Sequence, residues 1–580
     1  MNERTASPRI INCHAHVFTG FHVPPYLAKT FLPWPFYYLV PLSGLLRLFS
    51  WWYHKGPYTW QFKSWYKKLA QASYKTKIYF VRHPLLGRLK DVAGILVTIQ
   101  VFYVFYDLIR RLQSPGKGTA KTVSAVRDWL SRHYLYYPKT GFWTKLLLVI
   151  VLLLFFQWGR NLIIFIFRQF WSFLGKIPGK QSLELIGRYF NIARFCVYKN
   201  QSGIFSKLNS QYPPGTGFIL LPMDMAFMDA GPVQEDYAAQ HEQLASLKRN
   251  HPDTAFPFLF IDPRRIPDDP AGFFTYTQEK GAVTLGDCFV KKYIEDEAFS
   301  GFKIYPALGY YPFDERLLPL WKYAADNGIP ITTHCIRGTI FYRGSKKKDW
   351  DRHPVFEQAV GDQEYSPLLL PQMENRDFIN NFTHPLNYLV LLDEEILRKV
   401  VAKAGDPVKA LFGFKDEQTP MEYDLRHLKL CLGHFGGDDE WKKFMERDRD
   451  NFSSQLVKRP DFGIDFFNPQ DGVRKKGILE QVWKYADWYT IACSLMLQYD
   501  NIYADISYIL HDDSILPLLK ETLQNASLKQ KVLYGTDFYV VRNYKSDKNM
   551  LADMMAGLSD DEFNLIARTN PCQFLARTQA

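Results

Sequence analysis

The stretch Pro8-Arg9-Ile10-Ile11-Asn12-Cys13-His14-Ala15-His16 decides how the rest of this chain is read. It is a short apolar run closed by two histidines two residues apart. Residues i and i+2 of a strand project to one face, so His14 and His16 at a strand end can grip a single metal ion. Fourteen histidines in 580 residues produce such spacings by chance, so the pair gains its weight from what answers it downstream. Four later segments repeat an apolar strand closed by a metal-liganding residue type. They are Gly301-Phe302-Lys303-Ile304-Tyr305-Pro306, Ile329-Pro330-Ile331-Thr332-Thr333-His334, Leu428-Lys429-Leu430-Cys431-Leu432-Gly433-His434 and Val532-Leu533-Tyr534-Gly535-Thr536-Asp537.

Working outward, eight strand candidates appear at 9–13, 217–224, 255–261, 302–305, 329–333, 428–432, 501–505 and 532–534. Each is a short apolar run bounded by Gly, Pro or polar residues, as parallel strands covered on both faces should be. Helix-like stretches lie between them. One is 315–327, where Leu317, Leu318, Leu320, Trp321 and Ala324 approximate helical spacing. The alternation predicts an α/β fold, a TIM-like (β/α)8 barrel. Residues 1–19 carry its first strand and the histidine pair, and 201–580 the remaining strands. The distance from strand 1 to strand 2 far exceeds an ordinary βα unit, so 20–200 reads as a large, mainly helical insertion. Smaller insertions fall at 337–427 and 438–500. Both leave from carboxyl ends of strands, where barrel enzymes build their sites.

Hydrophobic content of 47% with 22% charged residues is that of a globular chain. The net charge of +12 conceals a division. Residues 21–200 hold 26 Lys and Arg against Asp91, Asp107, Asp128 and Glu184, a balance of +22, which leaves −10 on the remainder. Seven scattered cysteines, with no Cys-x-x-Cys pair, read as reduced thiols in a cytoplasmic protein or one on the cytoplasmic face of a membrane. The polar opening, Met1 to Pro8, does not look like a signal peptide.

The insertion has three apolar stretches, 31–46, 92–106 and 146–159, the last followed by 161–167. Pro33, Pro35 and Pro41 argue against a regular helix in the first. Spanning a bilayer takes ~20 apolar residues, so these shorter cores suit buried or interfacial helices, and Arg110, Arg111, Arg160 and Arg168 suit contact with anionic lipid. The insertion is therefore expected either as a membrane-associated module or as a lid. The long Leu, Val, Ile and Phe runs exclude nucleic acid as the partner of its basic residues.

The order His-x-His, Lys, His, His, Asp resembles that of the amidohydrolase superfamily of metal-dependent barrel hydrolases. Thr383-His384-Pro385, Gly433-His434-Phe435-Gly436-Gly437, Tyr534-Gly535-Thr536-Asp537 and Asn570-Pro571 bring it nearest to the amidohydrolase-related family, which includes aminocarboxymuconate semialdehyde decarboxylase. The resemblance covers residues 8–16 and roughly 216–580. It implies one or two divalent ions, zinc first, with manganese or iron as alternatives. The implied metal ligands are His14, His16, Lys303, His334, His434 and Asp537, with Asp537 and His434 also catalytic. Lys303, in Lys-Ile-Tyr-Pro, resembles the dihydroorotase lysine whose carboxylated form bridges two ions. Left as an amine, it implies a single ion.

Arg337, three residues past His334, is a candidate clamp for a carboxylate or phosphate. Tyr305 and Tyr310 either line the substrate pocket or pack the barrel rim, Asp505 orients a ligand or caps a strand, and His384 reads as structural. The expected activity is hydrolysis of an amide, ester or lactone in a small molecule by metal-activated water. Decarboxylation on the same site is the alternative, and a non-catalytic membrane-associated scaffold is the rival of another class. The residues say nothing of oligomeric state.

Overall fold

The computed structural model describes residues 9–577 apart from a set of segments, the longest being 156–186 and 467–476. Eight parallel strands form one sheet in sequence order. They are β1 (Ile11–Ala15), β2 (Gly217–Leu220), β3 (Ala255–Phe260), β4 (Gly301–Lys303), β5 (Ile331–His334), β6 (Leu430–Gly433), β7 (Ile502–Asp505) and β8 (Val532–Leu533). The last strand returns to the first. The Cys13 amide donates to the Tyr534 carbonyl at 2.8 Å, the Asp537 amide to the His14 carbonyl at 2.9 Å, and Ala15 bridges Phe538. The sheet thus closes into a (β/α)8 barrel, at the positions where the sequence places its eight strands.

The interior is filled from strands that are not neighbours. Ile11 and Cys13 of β1, Ile219 and Leu221, Phe258, Cys431 of β6 and Leu533 pack into one buried cluster. Contact between β1 and β6 has to cross the barrel, so Cys13 faces inward. His14 also faces inward, because its ring reaches Asp505 and His434. Adjacent residues cannot both do this in a regular strand. The β1–β2 register shifts between Asn12 and Ala15, and such an irregularity re-aims side chains at barrel rims. Asn12 holds the far side of the bend. Its Nδ2 donates to Tyr212 and Thr536 hydroxyls at 2.9 and 2.8 Å, and its Oδ1 accepts the amides of His14 and Thr536.

The chain divides into two compact units, 1–51 with 184–580, and 52–183. The boundary falls inside the segment read as an insertion. Residues 20–51 belong with the barrel, where Leu42 and Leu46 are fully or almost fully buried in its main core. In the second unit, helices run over Ser64–Arg82, Pro84–Leu112, Lys117–Arg132 and Phe142–Phe155. Among the described residues no helix is long and apolar enough to cross a membrane. The apolar run 161–167 and its flanks Arg160 and Arg168 lie outside the described residues.

Two buried histidines that are not among the candidate metal ligands set a pH dependence of stability. Burial pushes both His241 and His353 down to about 3. Backbone amides donate to one nitrogen of each ring, from Phe260 to His241 and from Val355 and Phe356 to His353, which favours the neutral form. The Tyr237 carbonyl and the Asn387 side-chain oxygen accept from the other nitrogen and pull weakly the opposite way. A base whose folded pKa lies below its unfolded value of about 6.5 contributes stability fully above that value. The contribution is lost as pH falls toward the folded one. Thermal melts are therefore expected to shift steadily downward from pH 7 to pH 4, with or without chelator. A melting temperature flat across that range contradicts this.

Candidate metal centre

Five of the residues singled out from sequence meet at the carboxyl end of the barrel. His14 and His16 follow from the end of β1, His334 ends β5, His434 follows β6, and Asp537 follows β8. All are buried. Ligand atoms of His14, His16 and Asp537 lie within 4.8 Å of one another.

Hydrogen bonds select the tautomers of the first two histidines. His14 Nδ1 lies 2.9 Å from Asp505 Oδ2, and His16 Nδ1 lies 2.7 Å from the Leu221 carbonyl. Both partners are acceptors, so each Nδ1 carries a proton, and in its neutral form each ring presents an Nε2 lone pair. Burial first, then the nearby Lys303 and His16, hold the His14 pKa well below its usual value. The two Nε2 atoms face one carboxylate oxygen, Asp537 Oδ1, at 3.9 Å from His14 and 3.2 Å from His16. His14 Nε2 is buried without a hydrogen-bond partner. Lone pairs directed at an anion in a dry pocket are repulsive unless a cation lies among them. Two imidazoles and a carboxylate therefore fit a divalent ion. A second grouping, His14 with His434 and Asp505, also brings ligand atoms together, but Asp505 is already committed. Its Oδ2 takes His14, and its Oδ1 accepts the His434 amide at 3.1 Å and both the amide and the hydroxyl of Ser507.

His434 stands beside this set. Its Nε2 is 3.2 Å from His334 Nδ1, and the Ser507 hydroxyl is 2.9 Å from its Nδ1. Burial, and after it the neighbouring His14, pushes its pKa down to about 3 against the pull of Asp537 and Asp505. The Tyr305 ring stacks on His334 with centroids 4.2 Å apart. Two of the site residues occupy the left-handed region, His434 at φ 68° and Asp537 at φ 60°, where such backbone strain tends to accompany function. Glycines let the chain close on His14. A Cβ at Gly535 would stand 2.9 Å from His14 Cβ, and one at Gly433 2.4 Å from the Thr333 carbonyl and 3.2 Å from His14 Cε1.

The other candidates are placed less centrally. Lys303 is buried, and its Nζ donates to the Thr333 carbonyl at 3.2 Å. Burial lowers its pKa to about 8, against the opposing pull of Asp505 and Asp537. The Tyr305 hydroxyl donates to the Ile340 carbonyl. The Tyr310 hydroxyl donates to the Ile261 carbonyl and accepts the Tyr305 amide. Arg337 lies over the Trp488 ring at 5.3 Å and 3.7 Å from Glu440. There it lines a cavity of about 460 Å³ shared with His384 and Trp483. His384 stacks on Trp483 at 3.9 Å, and its Nδ1 accepts the Leu386 amide. Sequence reasoning weighed Asp505 only as an orienting or capping residue and passed over Ser507 and Asn12. No local spacing links them to the histidines they hold.

No family model and no curated protein matches the chain. Solved structures that resemble it include 5-carboxyvanillate decarboxylase from Sphingomonas paucimobilis, with 11% identity and a TM-score of 0.33 over 69% of this chain and 87% of that one. The 2,6-dihydroxybenzoate decarboxylase from Rhizobium gives 14% and 0.33 over 69% and 93%. The dihydroxybenzoic acid decarboxylase from Polaromonas sp. JS666, with bound manganese, gives 13% and 0.34 over 70% and 92%. The barrel assignment rests on this chain's own strand order and closure.

Proposed function

We propose that this protein is a metal-dependent enzyme acting on a small molecule, with one divalent ion held by His14, His16 and Asp537 and completed by His334. The observation that carries this reading is the pair of Nε2 atoms facing one buried carboxylate oxygen, with each Nδ1 already bound to an acceptor. When bound, the ion supplies Lewis acidity toward the oxygens of a substrate. Zinc and manganese both accept this nitrogen and carboxylate set.

Decarboxylation is the first reading of the reaction. The ligand side chains are buried throughout, and loss of a carboxylate as carbon dioxide gains from exclusion of bulk water. The carbon–carbon bond breaks, its electron pair stays on the substrate carbon, and a proton replaces the departing group. Asp537 and His434 flank the site and are the residues assigned to move that proton. Hydrolysis is the second reading. It is favoured by Asp537 Oδ1, a carboxylate oxygen facing both imidazoles and suited to accept a proton from water. Metal-loaded protein incubated with a panel of hydroxybenzoic acids is expected to release carbon dioxide without incorporating solvent oxygen. Incorporation of labelled solvent oxygen into the product of an amide, ester or lactone would replace the first reading with the second.

The amine of Lys303 engages Thr333, which favours a single ion. Lys303→Met is accordingly expected to retain about one ion per chain, measured by elemental analysis after gel filtration. A wild-type content of two ions that falls to one in the variant would establish a bridged pair instead.

A further inference from the structure

None of the described residues of the 52–183 unit belongs to the metal centre, and its surface is unlike that of a self-sufficient domain. Among its described residues only Gln100, Val101, Tyr103 and Tyr136 are buried. The helix Ser64–Arg82 buries none of its residues. Large apolar side chains stand in solvent instead, with Val81 73%, Leu85 75% and Leu89 64% exposed, and Leu69, Ile95 and Phe102 each more than half exposed. Monomeric proteins rarely show contiguous apolar patches beyond a few hundred Å², so a surface of this kind calls for a cover.

Charge decides what that cover is. Residues 52–183 contain 21 Lys and Arg but only Asp91, Asp107 and Asp128, a balance of +18. Two copies of such a surface repel each other, whereas a sheet of anionic groups over an apolar interior matches both of its properties. The helix Ser64–Arg82 shows the pattern in small. Trp65, Leu69, Ala72, Thr76 and Tyr79 recur at spacings of four and three along one side, and Lys68, Lys75 and Arg82 run beside them every seventh residue. Lys67 and Lys77 add to its charge, and it carries no acid. Lysine and arginine stems can lie along apolar surface while their charges stay at headgroup level, and tryptophan and tyrosine favour the same depth.

We propose that the 52–183 unit is a docking surface for anionic lipid bilayers. It lies in the interface through the exposed faces of Ser64–Arg82 and the first turns of Pro84–Leu112. Neither of these two helices is long and apolar enough to cross, so their contact is with one leaflet. Lipid binding by this unit is independent of the reaction assigned to the barrel.

The test uses the full chain and sedimentation with vesicles. Binding is expected to vesicles of phosphatidylcholine mixed with phosphatidylserine, to be much weaker with phosphatidylcholine alone, and to fall as salt is raised. Each basic residue neutralised on Ser64–Arg82, beginning with Lys75→Gln, should lower binding about 5-fold. The variant Leu69→Glu/Leu85→Glu/Leu89→Glu should abolish it, while metal content stays at the wild-type level as the check on folding. Equal binding to neutral vesicles, full binding by the triple variant, or a salt-stable dimer in ultracentrifugation with no vesicle binding would each overturn the proposal.

Discussion

Asp537→Asn is expected to lower turnover by about 10²–10⁴-fold while leaving the melting temperature of the metal-free protein nearly unchanged. Asparagine keeps the shape of the side chain and tolerates the left-handed conformation that Asp537 adopts at φ 60°, so the loop after β8 is not disturbed. What changes is charge. The carboxylate oxygen facing His14 and His16 Nε2 becomes a neutral amide, and both the negative ligand and the proton acceptor are lost. Alanine would be a poorer test, because it adds strain to the loss of charge. Steady-state kinetics of metal-loaded protein, read beside thermal melts of apo protein, checks this. Undiminished turnover in Asp537→Asn would remove the residue from the chemistry.

Asp505→Asn is expected to weaken metal binding by about 10–100-fold although Asp505 is not assigned as a ligand. One carboxylate receives His14 Nδ1, the His434 amide, and both the amide and the hydroxyl of Ser507. An amide has a single oxygen, so its NH2 must turn toward at least one of these donors and leave it unsatisfied in a fully buried site. Each such donor costs about 1–3 kcal/mol, readable in denaturant unfolding of the apo protein. His14 would also lose the acceptor that fixes its proton on Nδ1, and its Nε2 would no longer be held as a lone pair. Competition against a chelator of known affinity measures the effect. Wild-type affinity in the variant would show that Asp505 does not orient His14.

The barrel was legible in the sequence because its strands are the short, bounded apolar runs that two-sided burial demands, and five of the eight end where a candidate ligand stands. His14, His334, His434 and Asp537 could be read this way, one strand end at a time. The supports of the site could not. Asp505 reaches His14 across 491 residues and Asn12 reaches Thr536 across 524. No periodicity encodes a pairing made only when the barrel closes. The irregularity in β1 that turns both Cys13 and His14 inward is likewise a property of register, which strict alternation cannot foretell. Tyr305 and Tyr310 show the converse. Their place after β4 was readable, but the use of both hydroxyls within the fold depends on Ile340 and Ile261, carbonyls of other loops. Residues 20–51 share the aromatic richness of residues 52–183, and their Leu42 and Leu46 pack into the barrel core.

Anomalous diffraction from crystals of the full chain loaded with manganese or zinc tests the metal centre most directly. One strong peak per chain is expected at the carboxyl end of the barrel, within bonding distance of His14 Nε2, His16 Nε2 and the Asp537 carboxylate. Metal-loaded crystals with no peak there, or with the ion held elsewhere, would contradict it.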